Sequence, residues 1–404
     1  MVWFSLITWC SASLVLMILP QGLKIQGALA VNALLFAVLL IVKRHFYVIN
    51  KLLIVLLATC FVPLYLSVLW SHDQSRTSYE LLKISPGIFG FLVLSQVLRN
   101  PEDLKKVTTI LQVVSAVITV FFAGVLIAQF GSMRGFYRGV EELRGIAGIT
   151  GSYGQCFVPV GIALILTSRQ WWKKVLFFVL TECCILVVFY SSTRAAVLSL
   201  ACSLVIMFFG LVAIRKFTFR YCCVIMLFIP LTTFFVYKPP TEVLTQEVQH
   251  RIVKTVDDAE RNVNTVLESS TRMMTWGRAV AVFTDHPLFG IGYEAFSRKY
   301  WFTNPHNILL DFLLGGGVVG LITFLVFVVC TVYGFIRGGI LLRFPDPYLN
   351  LNVIALGATF IGVLVYGLFW QLLWHPFFYV LSAVGLFAGI MPWRSVDSRR
   401  SDRL

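Results

Sequence analysis

Charge is scarce in this chain: Asp, Glu, Lys and Arg make up 13% of 404 residues, against 58% hydrophobic residues. With mean hydropathy +0.84, that leaves too little polar side chain to cover water-soluble domains and too much apolar side chain for a disordered chain. Cysteine outside apolar surroundings is lacking too. All nine (Cys10, Cys60, Cys156, Cys183, Cys184, Cys202, Cys222, Cys223 and Cys330) fall inside or at the ends of apolar runs, which is packing sulfur and excludes a secreted disulfide scaffold. No Lys or Arg precedes Lys24 and no small-residue cleavage site follows the first apolar run, so that run reads as a retained span and not a signal peptide. Internal repeats and low-complexity tracts are likewise not evident.

What is present is one apolar run after another. Roughly 20 apolar residues span a bilayer, and twelve such segments read at about 3–19, 27–42, 52–70, 84–98, 107–130, 153–168, 175–190, 195–214, 221–237, 307–336, 348–369 and 374–392. The expectation is one polytopic domain over residues 1–404, all-α, with a single long polar loop at 238–305 before the tenth span. Lys and Arg number 18 in the even-numbered connections and the C-terminal tail, but seven in the short odd-numbered connections. By the positive-inside rule both termini are cytoplasmic and the long loop lies outside.

Ionisable residues within spans are costly. Glu182 stands mid-span and reads either as part of a polar pocket or proton path, or as a protonated carboxyl hydrogen-bonded to a neighbouring helix. Asp311 lies five residues after His306, about 140° round a regular helix, so it is a poor orienter of that histidine and sits one turn above Asn307.

The outer boundary collects the residues that suggest chemistry. Ser191-Ser192-Thr193-Arg194 combines helix-capping hydroxyls with a guanidinium, either an anion site or an ordinary cap with a snorkelling arginine. Between the fifth and sixth spans Arg134, Arg138 and Arg144 lie among Gly131, Gly135, Gly139, Gly145, Gly148, Gly151 and Gly154, which allows backbone approach to a phosphate; Glu141 and Glu142 equally suit a solvated loop. In the long loop, residues 241–269 read as an amphipathic helix, and Thr271 opens a second helix with Arg272, Trp276, Ala279 and Phe283 on one stripe. His286-Pro287 with Gly290 and Gly292 ends it. Pro305-His306-Asn307 then leads into an apolar helix running through Gly315-Gly316-Gly317, with the histidine in its first turn. His306 is a candidate proton acceptor; His286 and His375 read as interfacial anchors. No metal-ligand spacing stands near His306.

The ordered set Ser192-Thr193-Arg194-Ala195, Arg272 with Trp276, His286-Pro287-Leu288-Phe289-Gly290-Ile291-Gly292, and His306-Asn307 followed by Leu310 and three glycines resembles the O-antigen ligase and polymerase superfamily of bacterial inner membranes. The resemblance in motif covers about residues 191–320. It implies about twelve transmembrane helices in a GT-C-like fold, a periplasmic active site, and transfer of glycan from undecaprenyl diphosphate to a sugar of lipid A-core, without cofactor or metal. It assigns Arg194 and Arg272 to the donor diphosphate and His306 to general base, with Trp276 and Asn307 in support. Arg144 and Arg138 are added as further donor contacts from their loop position. The length leaves no room for an extra C-terminal domain, which favours ligase over protein-glycosylating members. O-antigen polymerase is the alternative with the same donor, and a polytopic transporter or lipid flippase is the alternative from another class.

Overall fold

The computed structural model describes residues 51–98, 102–111, 113, 117, 141–190, 194–215, 218–237, 271–300, 304–341 and 347–390. The first two expected spans, most of the fifth, Ser191 to Thr193, Arg134, Arg138 and the expected amphipathic helix at 241–269 lie outside the described residues. All described regular elements are helical. They are α1 (Lys51–Leu66), α2 (Gln74–Val97), α3 (Glu141–Thr167), α4 (Trp171–Tyr190), α5 (Arg194–Ile214), α6 (Thr218–Tyr237), α7 (Thr271–Asp285), α8 (Phe296–Lys299), α9 (Ile308–Ile336), α10 (Pro347–Gly367) and α11 (Pro376–Ile390).

Four stretches are long and apolar enough to cross a membrane: Leu52–Leu69, Arg194–Ile214, Ile308–Leu341 and Tyr348–Gly367. Three shorter apolar helices accompany them, Gly151–Thr167, Thr218–Phe234 and Phe377–Gly389. The all-α membrane character that composition implied is therefore present, while the number twelve rests on the sequence. Outward faces are apolar as lipid requires: Val205 and Phe209 on α5, Met226 and Ile229 on α6, and Ile322, Val326 and Val329 on α9 are all exposed.

The helices form two groups. In one, α9 packs on α1 and α11, and α11 on α2; in the other, α10 packs on α3 and α5, and α3 on α4. Contact of α10 with α11 joins them. Aromatic rings fill the first group, with Phe312 stacked on Phe324 at 4.2 Å and Phe61 meeting Phe312 and Phe327 edge-on at 6.4 Å. Small residues permit the closest crossing: a Cβ on Gly334 of α9 would meet the Gly385 carbonyl of α11 at 2.0 Å.

Two local expectations need correction. The glycine-rich stretch expected to be loop up to Gly154 is helical from Glu141, because its glycines serve helix packing: a Cβ on Gly154 would sit 3.0 Å from the Cys184 carbonyl of α4. The apolar helix through Gly315-Gly316-Gly317 is interrupted, since Gly317 has φ 64 and ψ −157. The turn after α7 fills the break. Ile291 N donates to Leu314 O at 2.7 Å and Val318 N to Pro287 O at 2.8 Å, satisfying backbone groups that the interrupted helix leaves without intrahelical partners. Trp70 Nε1 donates to Phe289 O at 3.0 Å, and Thr77 Oγ1 to Tyr293 O at 2.9 Å, so the same turn is also seated on the α1–α2 connection and the first turn of α2.

Candidate active site

Helix α7 rests on α9 through Ala279 and Val282, which share an apolar cluster with Ile291, Ala295, Phe296 and Leu314. Its buried face is therefore Thr275, Ala279 and Val282, at helical spacing, and the expected stripe is rotated: Arg272 is exposed and Trp276 half-buried. Rotation suits chemistry, because a guanidinium turned into the apolar cluster would lose its solvation. Trp276 meets the next element with its polar edge. Its Nε1 donates to Pro305 O at 2.8 Å, and its ring lies 6.4 Å from Phe369.

The adjoining residue is His306. It precedes the first turn of α9 and does not lie within it, with φ 49. Asn307 is the N-cap, its Oδ1 accepting from Leu309 N at 3.0 Å and Leu310 N at 3.3 Å, so its role here is to start the helix. Asp311 N donates to Asn307 O at 2.8 Å, one turn on, as expected. The His306 ring stacks on Trp370 with centroids 5.7 Å apart and planes 13° from parallel. Its Nδ1 is buried without a hydrogen-bond partner among the described residues.

Arg272 acts electrostatically on one expected residue and is acted on by another. Burial lowers the His306 imidazole pKa from its ordinary value, and the positive charge of Arg272 lowers it further. Exposed by surface area though it is, the Arg272 guanidinium has enough protein around it for desolvation to lower its pKa; Tyr366 opposes that shift and Arg194 adds to it. Arg194 begins α5, where helix dipole and guanidinium share a positive sign. Two mutually repelling cations near an imidazole biased toward its neutral form suit a polyanion and a proton acceptor role.

Arg144 lies in the first turn of α3, with its side chain outside the described residues, and Arg138 lies outside them altogether. His375 is not an interfacial anchor. It is buried, bonded through Nε2 to Ser152 Oγ at 2.9 Å and stacked on Tyr153 at 5.0 Å, because the α10–α11 connection turns inward. His286 remains half-buried at the turn, its ring 5.9 Å from His72. Glu182 accepts from Thr232 Oγ1 of α6 at 3.0 Å, the neighbouring-helix bond that its bland reading anticipated.

Sequence reasoning missed Trp370, Tyr366 and Glu294. Tyr366 lies at the end of an apolar span and Trp370 just beyond it, where aromatic residues are ordinary. Glu294 was hidden inside the turn motif. It is buried with φ 60, its Oε1 accepts from Gln371 Nε2 at 3.0 Å, and its Oε2 accepts from Asn304 Nδ2. Burial raises its pKa to about 7, helped by Glu80 and opposed by the Asn304 bond, Arg76 and Lys83. An acidic residue in a Gly-rich turn carries no signal of what will surround it.

No curated protein matches the chain. Residues 179–325 match the family model described as O-Antigen ligase. That stretch holds Arg194, Arg272, Trp276, His306 and Asn307, and leaves Arg138 and Arg144 outside. The family covers O-antigen ligases and polymerases, a glycosyltransferase-like activity. The match spans little over a third of the chain, the segment that holds Arg194, Arg272 and His306, and over that segment it supports membership of the O-antigen ligase superfamily.

Proposed function

We propose that this protein is an inverting glycosyltransferase that moves O-antigen glycan from undecaprenyl diphosphate to a sugar of lipid A-core, at the periplasmic face of the bacterial inner membrane. The observation that carries the reading is that Arg272 lies within electrostatic reach of both Arg194 and His306, the three coming from separate elements. His306 takes the proton of the acceptor hydroxyl as its oxygen forms a bond to the anomeric carbon of the donor sugar. The bond from that carbon to the diphosphate oxygen breaks, and the electron pair leaves with undecaprenyl diphosphate. Arg194 and Arg272 meet the charge that develops on the leaving group. A lowered histidine pKa keeps the imidazole neutral, which is the form the step needs.

Trp276 supports the base by holding the Pro305 carbonyl, and Asn307 by ending the turn at His306. Arg144, and more remotely Arg138, remain candidates for additional donor contact from their place in the sequence. The chemistry proposed for these residues requires no cofactor and no metal.

Reconstitution tests the reading: purified protein, wild type and His306→Ala, with undecaprenyl-diphosphate glycan and lipid A-core in the presence of a chelator. The expected result is glycan transfer to lipid A-core by wild type, and a loss of about 10²–10⁴-fold in the variant, the range of general base catalysis. Elongation of donor chains in place of transfer would make the protein a polymerase. Transfer by the variant at the wild-type rate would remove His306 from the chemistry.

A further inference from the structure

One buried carboxylate ties together the two segments that hold the candidate base. Glu294 Oε2 receives Asn304 Nδ2, two residues before His306, and Oε1 receives Gln371 Nε2 at 3.0 Å, one residue after Trp370. Segment 304–307 brings the imidazole and segment 370–371 brings the indole on which it stacks. No backbone hydrogen bond among the described residues links these two segments directly. Their relative placement therefore depends on side chains, and Glu294 is the side chain bonded to both.

Two more observations point the same way. Glu294 and His306 both adopt left-handed backbone conformations, φ 60 and φ 49, which non-glycine residues rarely take and which persist where surroundings over-determine them. The backbone next to Glu294 is held as well. The Tyr293 N–H donates to Ser67 Oγ at 3.2 Å, while Glu80, paired with Arg76 at 3.0 Å and Lys83 at 2.7 Å, acts on Glu294 as a like charge. Asp311 of α9 is the other acidic group within electrostatic reach. The Ser67 bond thus ties the residue next to Glu294 to the α1–α2 connection.

We infer that Glu294 is a positioning residue for His306: its two carboxylate oxygens clamp segment 304–307 to segment 370–371 and so fix the imidazole on the Trp370 face. The inference rests on the proposed function only in taking His306 as the base. The geometric part, that Glu294 holds the ring in place, stands apart from any activity.

The test uses the purified full-length chain as wild type, Glu294→Ala and Glu294→Gln, each also combined with His306→Ala. Diethyl pyrocarbonate modification of His306, read by peptide mass spectrometry, reports whether the ring is held, and the buried His375 reports whether the bundle is intact. Glu294→Ala is expected to speed modification of His306 roughly three- to tenfold by local opening, with His375 unchanged. In the transfer assay it is expected to lower kcat about 10–10²-fold with the donor KM within about threefold, since misplacement costs rate and leaves the arginines alone. In the His306→Ala background it adds no further loss. Glu294→Gln keeps both readouts near wild type: the amide has the same reach, and Asn304 Oδ1, which has no hydrogen-bond partner among the described residues, can turn to receive the new N–H.

Equal modification of His306 in wild type and Glu294→Ala overturns the inference. So does a kcat loss that is undiminished in the His306→Ala background. If Glu294→Ala exposes His375 as well, Gln371→Ala removes one arm of the clamp and decides in its place: a rise confined to His306 supports the inference, and no rise overturns it. Lack of glycan transfer by wild type strikes the functional reading alone, because the modification rates still decide whether Glu294 holds the ring.

Discussion

The His306 imidazole lies flat on the Trp370 indole, centroids 5.7 Å apart and planes 13° from parallel. The stack joins the residue that precedes α9 to one that follows α10, so the candidate base is oriented by two elements distant in the chain. Partial burial there, with Arg272 nearby, lowers the imidazole pKa and favours its proton-accepting form.

The sign of the pH dependence follows. A neutral imidazole is required, so transfer rises with pH as His306 loses its proton, and in wild type that rise falls below the ordinary histidine value of 6.5. Trp370→Ala opens one face of the ring to water, which moves the rise upward toward 6.5 and lowers kcat about tenfold through loss of orientation. Profiles of kcat against pH for the two proteins measure both effects. An unmoved acid limb would show that the indole does not govern the protonation of the base.

Arginine geometry is expected to matter beyond charge. Arg194→Lys and Arg272→Lys each keep a cation but lose the planar fork that meets two phosphate oxygens at once. Each lowers kcat/KM for the polyprenyl-diphosphate donor by roughly 10–10²-fold, short of the 10²–10³ expected where a leaving-group donor is removed outright. Steady-state kinetics over donor concentration check this. Lysine variants at the wild-type rate would assign the two arginines a general electrostatic part only.

Two glycines should respond oppositely to alanine. Gly317 has φ 64 and a Cβ there would meet the Leu288 carbonyl at 2.2 Å, so Gly317→Ala both strains the backbone and pushes the turn off α9. It is expected to cost at least about 1–3 kcal/mol from the backbone conformation alone. Gly277, exposed on α7, has nothing within 4 Å of the point where a methyl group would stand, and Gly277→Ala is expected to stabilise by about 0.5–1 kcal/mol through helix propensity. Thermal unfolding in detergent, side by side with wild type, reads both shifts.

Glu182 is expected to be dispensable for transfer. Its partner is the Thr232 hydroxyl of α6, and Glu182→Gln retains an oxygen to accept that bond. Transfer within about threefold of wild type is expected, as for an interhelical hydrogen bond whose worth is about 1 kcal/mol or less. A drop beyond tenfold would place the carboxyl on a proton path.

Some local features were legible before folding because they depend on residues close in the chain. Asn307 was expected to support His306 beside the start of the helix, and the structure makes it the cap of α9. His306 stands between a proline and that cap, where a histidine meets both water and protein. Glu182 is a lone carboxyl in an apolar run, and a hydroxyl on the adjoining helix answers it. Periodicity did less well where tertiary contact chose between faces. The apolar stripe of α7 could not tell that α9 would take Thr275, Ala279 and Val282 and leave Arg272 to solvent.

By itself, the sequence determined that the protein is helical and lives in lipid, since hydrophobic runs and sparse charge admit no other solvent, and it supplied an ordered set of arginines and a histidine. Only the tertiary structure decided that Arg272 comes within electrostatic reach of both Arg194 and His306, that Trp370 backs the imidazole, and that the triple-glycine helix breaks to receive the turn after α7. The reason is range: capping, span length and charge asymmetry act over a few residues of one segment. A stack between residues 306 and 370, or a carboxylate shared by residues 304 and 371, depends on how separate helices pack.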